Sequence, residues 1–202
     1  MTKIKCCGLS REEDIAAVND LGVDYAGFVF VPESKRYVTP QRARTLKEKL
    51  ADHVVAVGVF VDEDAQRVAG LIDEGIIDMA QLHGHEDNAY IRKLRSLTDA
   101  PIIQAFVIAS NQDVARAQAS DADYVLLDAG RGHGQTFDWR LIEKIDRPYF
   151  LAGGLTPENV GEAVDTRNPF AVDVSSGIET EGLKDKTKIA AFVAAVRKDE
   201  RK

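Results

Sequence analysis

Short apolar runs alternate with longer amphipathic ones along the whole chain, at a spacing of roughly 25 residues, which marks a repeated supersecondary unit. The apolar runs predict strands at 3–7, 24–30, 54–60, 78–82, 101–107, 123–127, 148–152 and 170–174. Between them a helical period predicts helices at 11–21, 40–50, 64–74, 87–97, 111–119, 138–145, 157–164 and 185–198. Punctuation residues agree with this division. Ser10 precedes an acidic first turn, Thr39-Pro40 and Thr156-Pro157 read as N-caps followed by proline at the first helical position, and Gly22 and Gly75 supply stops. Eight βα units with right-handed crossovers predict one α/β domain over 1–202, a single (β/α)8 TIM barrel whose site lies at the C-terminal ends of its strands. An open doubly wound sheet is the alternative, but no Gly-x-Gly-x-x-Gly follows the first strand to favour it.

Two βα junctions carry the first functional signal. Leu151-Ala-Gly-Gly-Leu-Thr-Pro-Glu-Asn159 and Phe170-Ala-Val-Asp-Val-Ser-Ser-Gly177 each break from a strand into small residues where a helix should begin. In a barrel, the loops after strands 7 and 8 expose backbone N–H groups to a phosphate in this way. Gly153, Gly154, Ser175, Ser176 and Gly177 are therefore candidate phosphate-binding residues, and ordinary Gly- and Ser-rich turns are the plainer explanation.

Alternation along each strand then sorts side chains between the barrel interior and the helix-facing side. In the first strand Lys5 and Cys7 point inward while Ile4 and Cys6 face the helices. In the sixth, Tyr124, Leu126 and Asp128 point inward, and in the eighth, Ala171 and Asp173. Closure makes the first and eighth strands neighbours, and an unpaired buried charge is costly, so Lys5 and Asp173 are predicted to pair, or to share a polar network, beneath the substrate, with Asp173 a candidate substrate-binding residue. Cys7 and Asp128 emerge at matched ends of their strands, where a thiol and a carboxyl form an acid and base pair with room for a substrate. A buried apolar cysteine and a turn-forming aspartate are the plainer readings of each residue alone.

Composition narrows the partners. The net charge of -7 argues against nucleic acid or an anionic membrane, since both require a basic surface. No apolar run reaches bilayer-spanning length, and the start of the chain enters a strand pattern without signal-peptide regions, so a cytoplasmic enzyme is expected. Adjacent Cys6 and Cys7 point to opposite faces of a strand, which argues against a disulfide or shared metal between them. His83-x-His85 is half a metal site at most, without a matching third ligand, and no metal is assigned.

Taken together, Lys5-Cys6-Cys7-Gly8, Gly27-Phe28-Val29-Phe30, Ser34-Lys35-Arg36-Tyr37, Val57-Gly58-Val59-Phe60, Gln81-Leu82-His83-Gly84, Leu127-Asp128, Gly134-Gln-Thr-Phe-Asp-Trp139, Gly153-Gly154-Leu155 and Asp173-Val-Ser-Ser-Gly177 resemble the phosphoribosylanthranilate isomerase family, in order and over nearly the whole chain. The resemblance implies an Amadori rearrangement of N-(5-phosphoribosyl)anthranilate to 1-(2-carboxyphenylamino)-1-deoxyribulose 5-phosphate, a step of tryptophan biosynthesis. It implies Asp128 as general acid at the furanose oxygen and Cys7 as general base at C2, with no cofactor. A thiolate is needed, so a cation beside Cys7 would help, and Lys5 is the candidate. Arg36, whose planar guanidinium suits a carboxylate, would hold the anthranilate end. Gln81 and His83 share a face at the end of the fourth strand, His83 lining the pocket or supporting it. Cys6 and His133 depart from the family pattern, the latter in the Gly-rich loop Gly130–Gln135. Another sugar-phosphate isomerase and a non-catalytic phosphate binder are the rival readings. Monomer and homodimer are both compatible with the chain.

Overall fold

In the computed structural model, which describes residues 1–128 and 139–198, eight parallel strands close into a barrel in sequence order. They are β1 (Lys3–Cys7), β2 (Tyr25–Val29), β3 (Val55–Phe60), β4 (Met79–Leu82), β5 (Ile102–Val107), β6 (Tyr124–Asp128), β7 (Tyr149–Leu151) and β8 (Ala171–Val174). Closure is carried by β1, which hydrogen-bonds to both β2 and β8, and this removes the open-sheet alternative. Each strand lies within one residue of its predicted limits. Helices α1 (Glu12–Asp20), α2 (Pro40–Lys47), α3 (Ala65–Asp73), α4 (Asn88–Arg95), α5 (Asn111–Gln118), α6 (Val160–Arg167) and α7 (Lys186–Val196) surround the barrel.

Strand alternation decides which side chains meet. Ile4, Cys6, Val125, Leu127, Val172 and Val174 belong to the outer core between barrel and helices. Inside the barrel, Tyr25, Val57, Met79, Ile103, Leu126, Phe150 and Ala171 form a second apolar layer. Phe150 anchors it, with Tyr25 and Tyr124 edge-on at ring separations of 5.4 and 5.7 Å. Burying such a side chain contributes roughly 1.5–3 kcal/mol, so this plug stabilises the floor on which the site rests.

The opposite end of the barrel shows a pairwise device. Asp24, just before β2, accepts a hydrogen bond from the Ile4 N–H on β1; Asp78, before β4, accepts from Ala56 on β3; Asp123, before β6, accepts from Ile102 on β5. Each carboxylate satisfies a strand-end donor that the ladder leaves open.

Three helix assignments need correction. Ser10 is not the cap of α1: Arg11 takes that position, and the buried Asp14 carboxylate accepts from the Ser10 and Arg11 N–H groups instead. Thr39 does cap α2, accepting from Arg42 N–H, but Thr156 does not begin α6. There the Asn159 side chain accepts from Thr156 N–H and donates to Gly154 O, a local loop that competes with helix and delays α6 to Val160. The helix expected at 138–145 is a 3-10 turn, Trp139–Lys144, because the span before Pro148 is too short for a stable α-helix. Gly22 and Gly75 end α1 and α3 with φ of 64° and 68°, as predicted.

Candidate active site

The parallel barrel brings the C-terminal ends of all eight strands to one rim, and the sequence places its chemistry there. Cys7 ends β1 and Asp128 ends β6, with β7 and β8 between them around the closed sheet. Cys7 packs against Val29 and Val59, with Val31 beside them, an apolar collar at the mouth. Gly27 makes this approach possible: a Cβ there would lie 2.9 Å from both Cys7 Cα and Sγ. Gly58, on the helix-facing side of β3, is confined in its own way: a Cβ there would meet Ile77 and the Phe60 ring.

Lys5, fully buried one inward position below Cys7, donates from Nζ to Asp173 Oδ1 at 2.7 Å. This is the pair anticipated from closure, and the strand register sets Lys5 directly opposite Asp173. Burial by itself would lower the Lys5 pKa, but the Asp173 carboxylate, followed by Cys7, more than offsets it and leaves the ammonium above its ordinary value. The Lys5 charge also acts on Cys7, the next inward position along β1. Burial pushes the Cys7 thiol up, Lys5 pulls it down, and burial prevails, so the resting thiol lies above its ordinary value. Cys6, on the helix-facing side, is pushed by burial up to about 12 and takes no part in the mouth.

Across the rim, Gln81 Nε2 and His83 Nδ1 are 2.9 Å apart, and His83 Nε2 lies 3.8 Å from Asp128 Oδ2. With the amide donating to Nδ1, the ring hydrogen sits on Nε2 and faces the carboxylate. His85 turns the other way and pairs with Asp62 at 2.9 Å, so the two histidines do not converge on one point.

The loops after β7 and β8 are locked together. Gly153 and Gly154 take φ of 85° and 68°, conformations that suit glycine, and their N–H groups make no hydrogen bond among the described residues. A Cβ at Gly177 would come within 2.0 Å of Leu155 O, so the second loop touches the first through bare backbone. Ser175 Oγ donates to Cys7 O at 3.1 Å, tying this loop to β1. Exposed amides at the start of a 3-10 turn, Ser176–Ile178, beside the two glycines form a concavity suited to a phosphate.

Arg36, on the loop after β2, is ordered: its Nε and Nη2 donate to Glu179 Oε1 and Oε2, both at 2.7 Å. Lys184 Nζ donates to the same Oε1 at 2.7 Å and to Ser175 O at 2.9 Å. Sequence reasoning did not single out Glu179, Lys184 or Gly27 as site residues. Glu179 and Lys184 sit on the two-residue strands β9 (Glu179–Thr180) and β10 (Leu183–Lys184), too short to show a period. His133 and the Gly130–Gln135 loop, with the matched segment up to Asp138, lie outside the described residues.

Residues 4–195 match the family model for N-(5'-phosphoribosyl)anthranilate isomerase. An N-(5'-phosphoribosyl)anthranilate isomerase of Endomicrobium trichonymphae is 41% identical, over 98% of this chain and 99% of its own. The crystal structure of phosphoribosyl anthranilate isomerase from Thermotoga maritima superposes with a TM-score of 0.90 at 37% identity, covering 98% of this chain and 100% of that one. A phosphoribosyl anthranilate isomerase solved in complex with reduced 1-(o-carboxyphenylamino)-1-deoxyribulose 5-phosphate gives a TM-score of 0.88 at 37% identity over the same shares.

Proposed function

This chain belongs to the N-(5'-phosphoribosyl)anthranilate isomerase family, and from that premise we propose how its own residues carry out the rearrangement. It is an isomerase of tryptophan biosynthesis. Asp128 protonates the furanose ring oxygen; the C1–O bond breaks as the anilino nitrogen supplies its electron pair, giving an iminium ion. Cys7 then removes the proton at C2, and that C–H electron pair neutralises the iminium as an enolamine. Tautomerisation of the enolamine yields the ketone.

The raised resting thiol fits this order of events. The thiol must first release its proton to solvent before it can take the one at C2, and the iminium cation that ring opening places beside Cys7 adds to the field of Lys5 in favouring that release. His83, facing Asp128 through Nε2, orients the acid and lines the pocket. At one end, the backbone of Gly153, Gly154, Ser176 and Gly177 holds the phosphate, with Ser175 tying the loop to Cys7. At the other, Arg36 takes the anthranilate carboxylate. Asp173 serves the sugar through Lys5, to which its carboxylate is bound.

The supporting observation is the placement of Cys7 and Asp128 at the ends of β1 and β6, above a sealed floor and between two anion-holding ends. No helix among the described residues is long and apolar enough to cross a membrane. We place the enzyme in the cytoplasm, acting as a monomer or as each half of a homodimer, because one chain supplies every residue named.

Fluorescence decay of freshly generated phosphoribosylanthranilate tests the reading. Fast conversion is expected from the unmodified protein, and losses in kcat of about 10²- to 10⁴-fold in Cys7→Ser and Asp128→Asn. Unimpaired turnover in either variant would remove that residue from the mechanism.

A further inference from the structure

The anion grips at the two ends of the site share a charged connection. Glu179 binds the Nε–Nη2 edge of Arg36 through both oxygens, and one of those oxygens also accepts from Lys184. Lys184 is almost fully buried and donates onward to Ser175 O and Oγ, at the head of the loop assigned to the phosphate. The stem of Arg36 lies against Gly8, where a Cβ would fall 2.3 Å from Arg36 Cδ. The guanidinium is thus confined from two sides. Nη2 spends one N–H on Glu179, and its second N–H and both of Nη1, which point along the other edge, make no hydrogen bond among the described residues.

Charge balance shows why three groups are needed. Arg36 and Glu179 alone would be neutral as a pair and would attract no anion. Adding Lys184 makes two cations to one carboxylate, so the cluster keeps one positive charge. Burial pushes the Glu179 carboxyl up, but hydrogen bonds from Arg36 and Lys184 more than offset this and hold it below its usual range, ionised at neutral pH.

We propose that Glu179 is a positioning residue for substrate recognition: it holds the Nε–Nη2 edge of Arg36 so that the other edge meets the substrate's aromatic carboxylate, at a distance from the phosphate loop set through Lys184. A long arginine otherwise loses rotamer freedom on binding, and holding it beforehand removes that cost from the binding step. This rests on the reading of Arg36 as the carboxylate grip.

The test uses two ligands, reduced 1-(o-carboxyphenylamino)-1-deoxyribulose 5-phosphate and the same molecule without its carboxylate, titrated calorimetrically into the full chain. Arg36→Met should weaken only the first. Glu179→Gln should also weaken the first, by about tenfold, and change the second by less than about twofold. In an Arg36→Met background, Glu179→Gln should add nothing further to the loss. Turnover should show a raised KM with kcat kept. Glu179→Asp, which keeps the charge for Lys184 but shortens the reach to Arg36, should discriminate the two ligands in the same way, and serves if the glutamine variant folds poorly. Equal weakening of both ligands by the Glu179 variants, with Arg36→Met still selective, overturns the proposal and makes Glu179 a support of the phosphate loop. An Arg36→Met variant that does not distinguish the ligands overturns the reading of Arg36, and the proposal with it.

Discussion

Lys5 and Asp173 form an ion pair of 2.7 Å inside the barrel, across the seam where the first strand meets the last. A buried pair is costly to break from one side, because the remaining charge is left in an apolar interior. Asp173→Ala should therefore lose about 3–5 kcal/mol of stability in urea unfolding, whereas Lys5→Met with Asp173→Leu should recover most of it. Because the folded Lys5 pKa lies above the unfolded value, the ammonium's contribution is fully present below about pH 10.4 and is lost as pH rises through the folded value. An unfolding midpoint for Asp173→Ala equal to that of the unmodified protein would show that the pair contributes nothing.

With Cys7 proposed as the base, its raised thiol should set the pH dependence of the chemical step. Log kcat/KM should climb with pH, with its midpoint above the ordinary thiol value of about 8.5. Removing the nearby cation in Lys5→Met should move that midpoint further up, since Lys5 is the main group that lowers it. A profile that is flat from neutral to alkaline pH in both proteins would separate the rate from thiol ionisation.

Gly177 is confined by backbone rather than by flexible side chains, so a methyl group there cannot be accommodated without moving the loop after β7. Gly177→Ala should raise KM by at least about tenfold and weaken competitive inhibition by inorganic phosphate to a similar degree, as expected where aligned amides bind the anion. Unchanged phosphate inhibition would place the phosphate elsewhere.

Gln81 leaves its Oε1 buried and without a partner among the described residues, while its nitrogen meets His83. Replacing it by leucine removes an unsatisfied polar atom together with the anchor of the imidazole. Gln81→Leu should change stability by less than about 1 kcal/mol yet lower kcat, through a His83 ring no longer held toward Asp128. A fall in stability with kcat unchanged would make Gln81 a packing residue only.

Much of this molecule follows from local chemistry. A period of two along each strand is enough to send Cys7, Lys5, Asp128 and Asp173 inward, and closure of the barrel is enough to make Lys5 and Asp173 neighbours. Helix starts were less legible where side chains compete with the helix for the same N–H groups: Asp14 displaces Ser10, and Asn159 holds Thr156 in a loop. Arg36 was visible as a cation on a loop, but what faces it was not.

The order of elements, the inward and outward faces, and the residues at the strand ends are written in the chain alone, because backbone geometry repeats over a few residues and needs no distant partner. The grip of Glu179 on Arg36, the link from Lys184 to Ser175 and the seating of the Gly177 backbone on Leu155 arise from the folded barrel instead. Those contacts join segments with no periodic signal between them. They exist because closing eight strands brings the ends of separate loops to one rim, where distance along the chain no longer limits which groups meet.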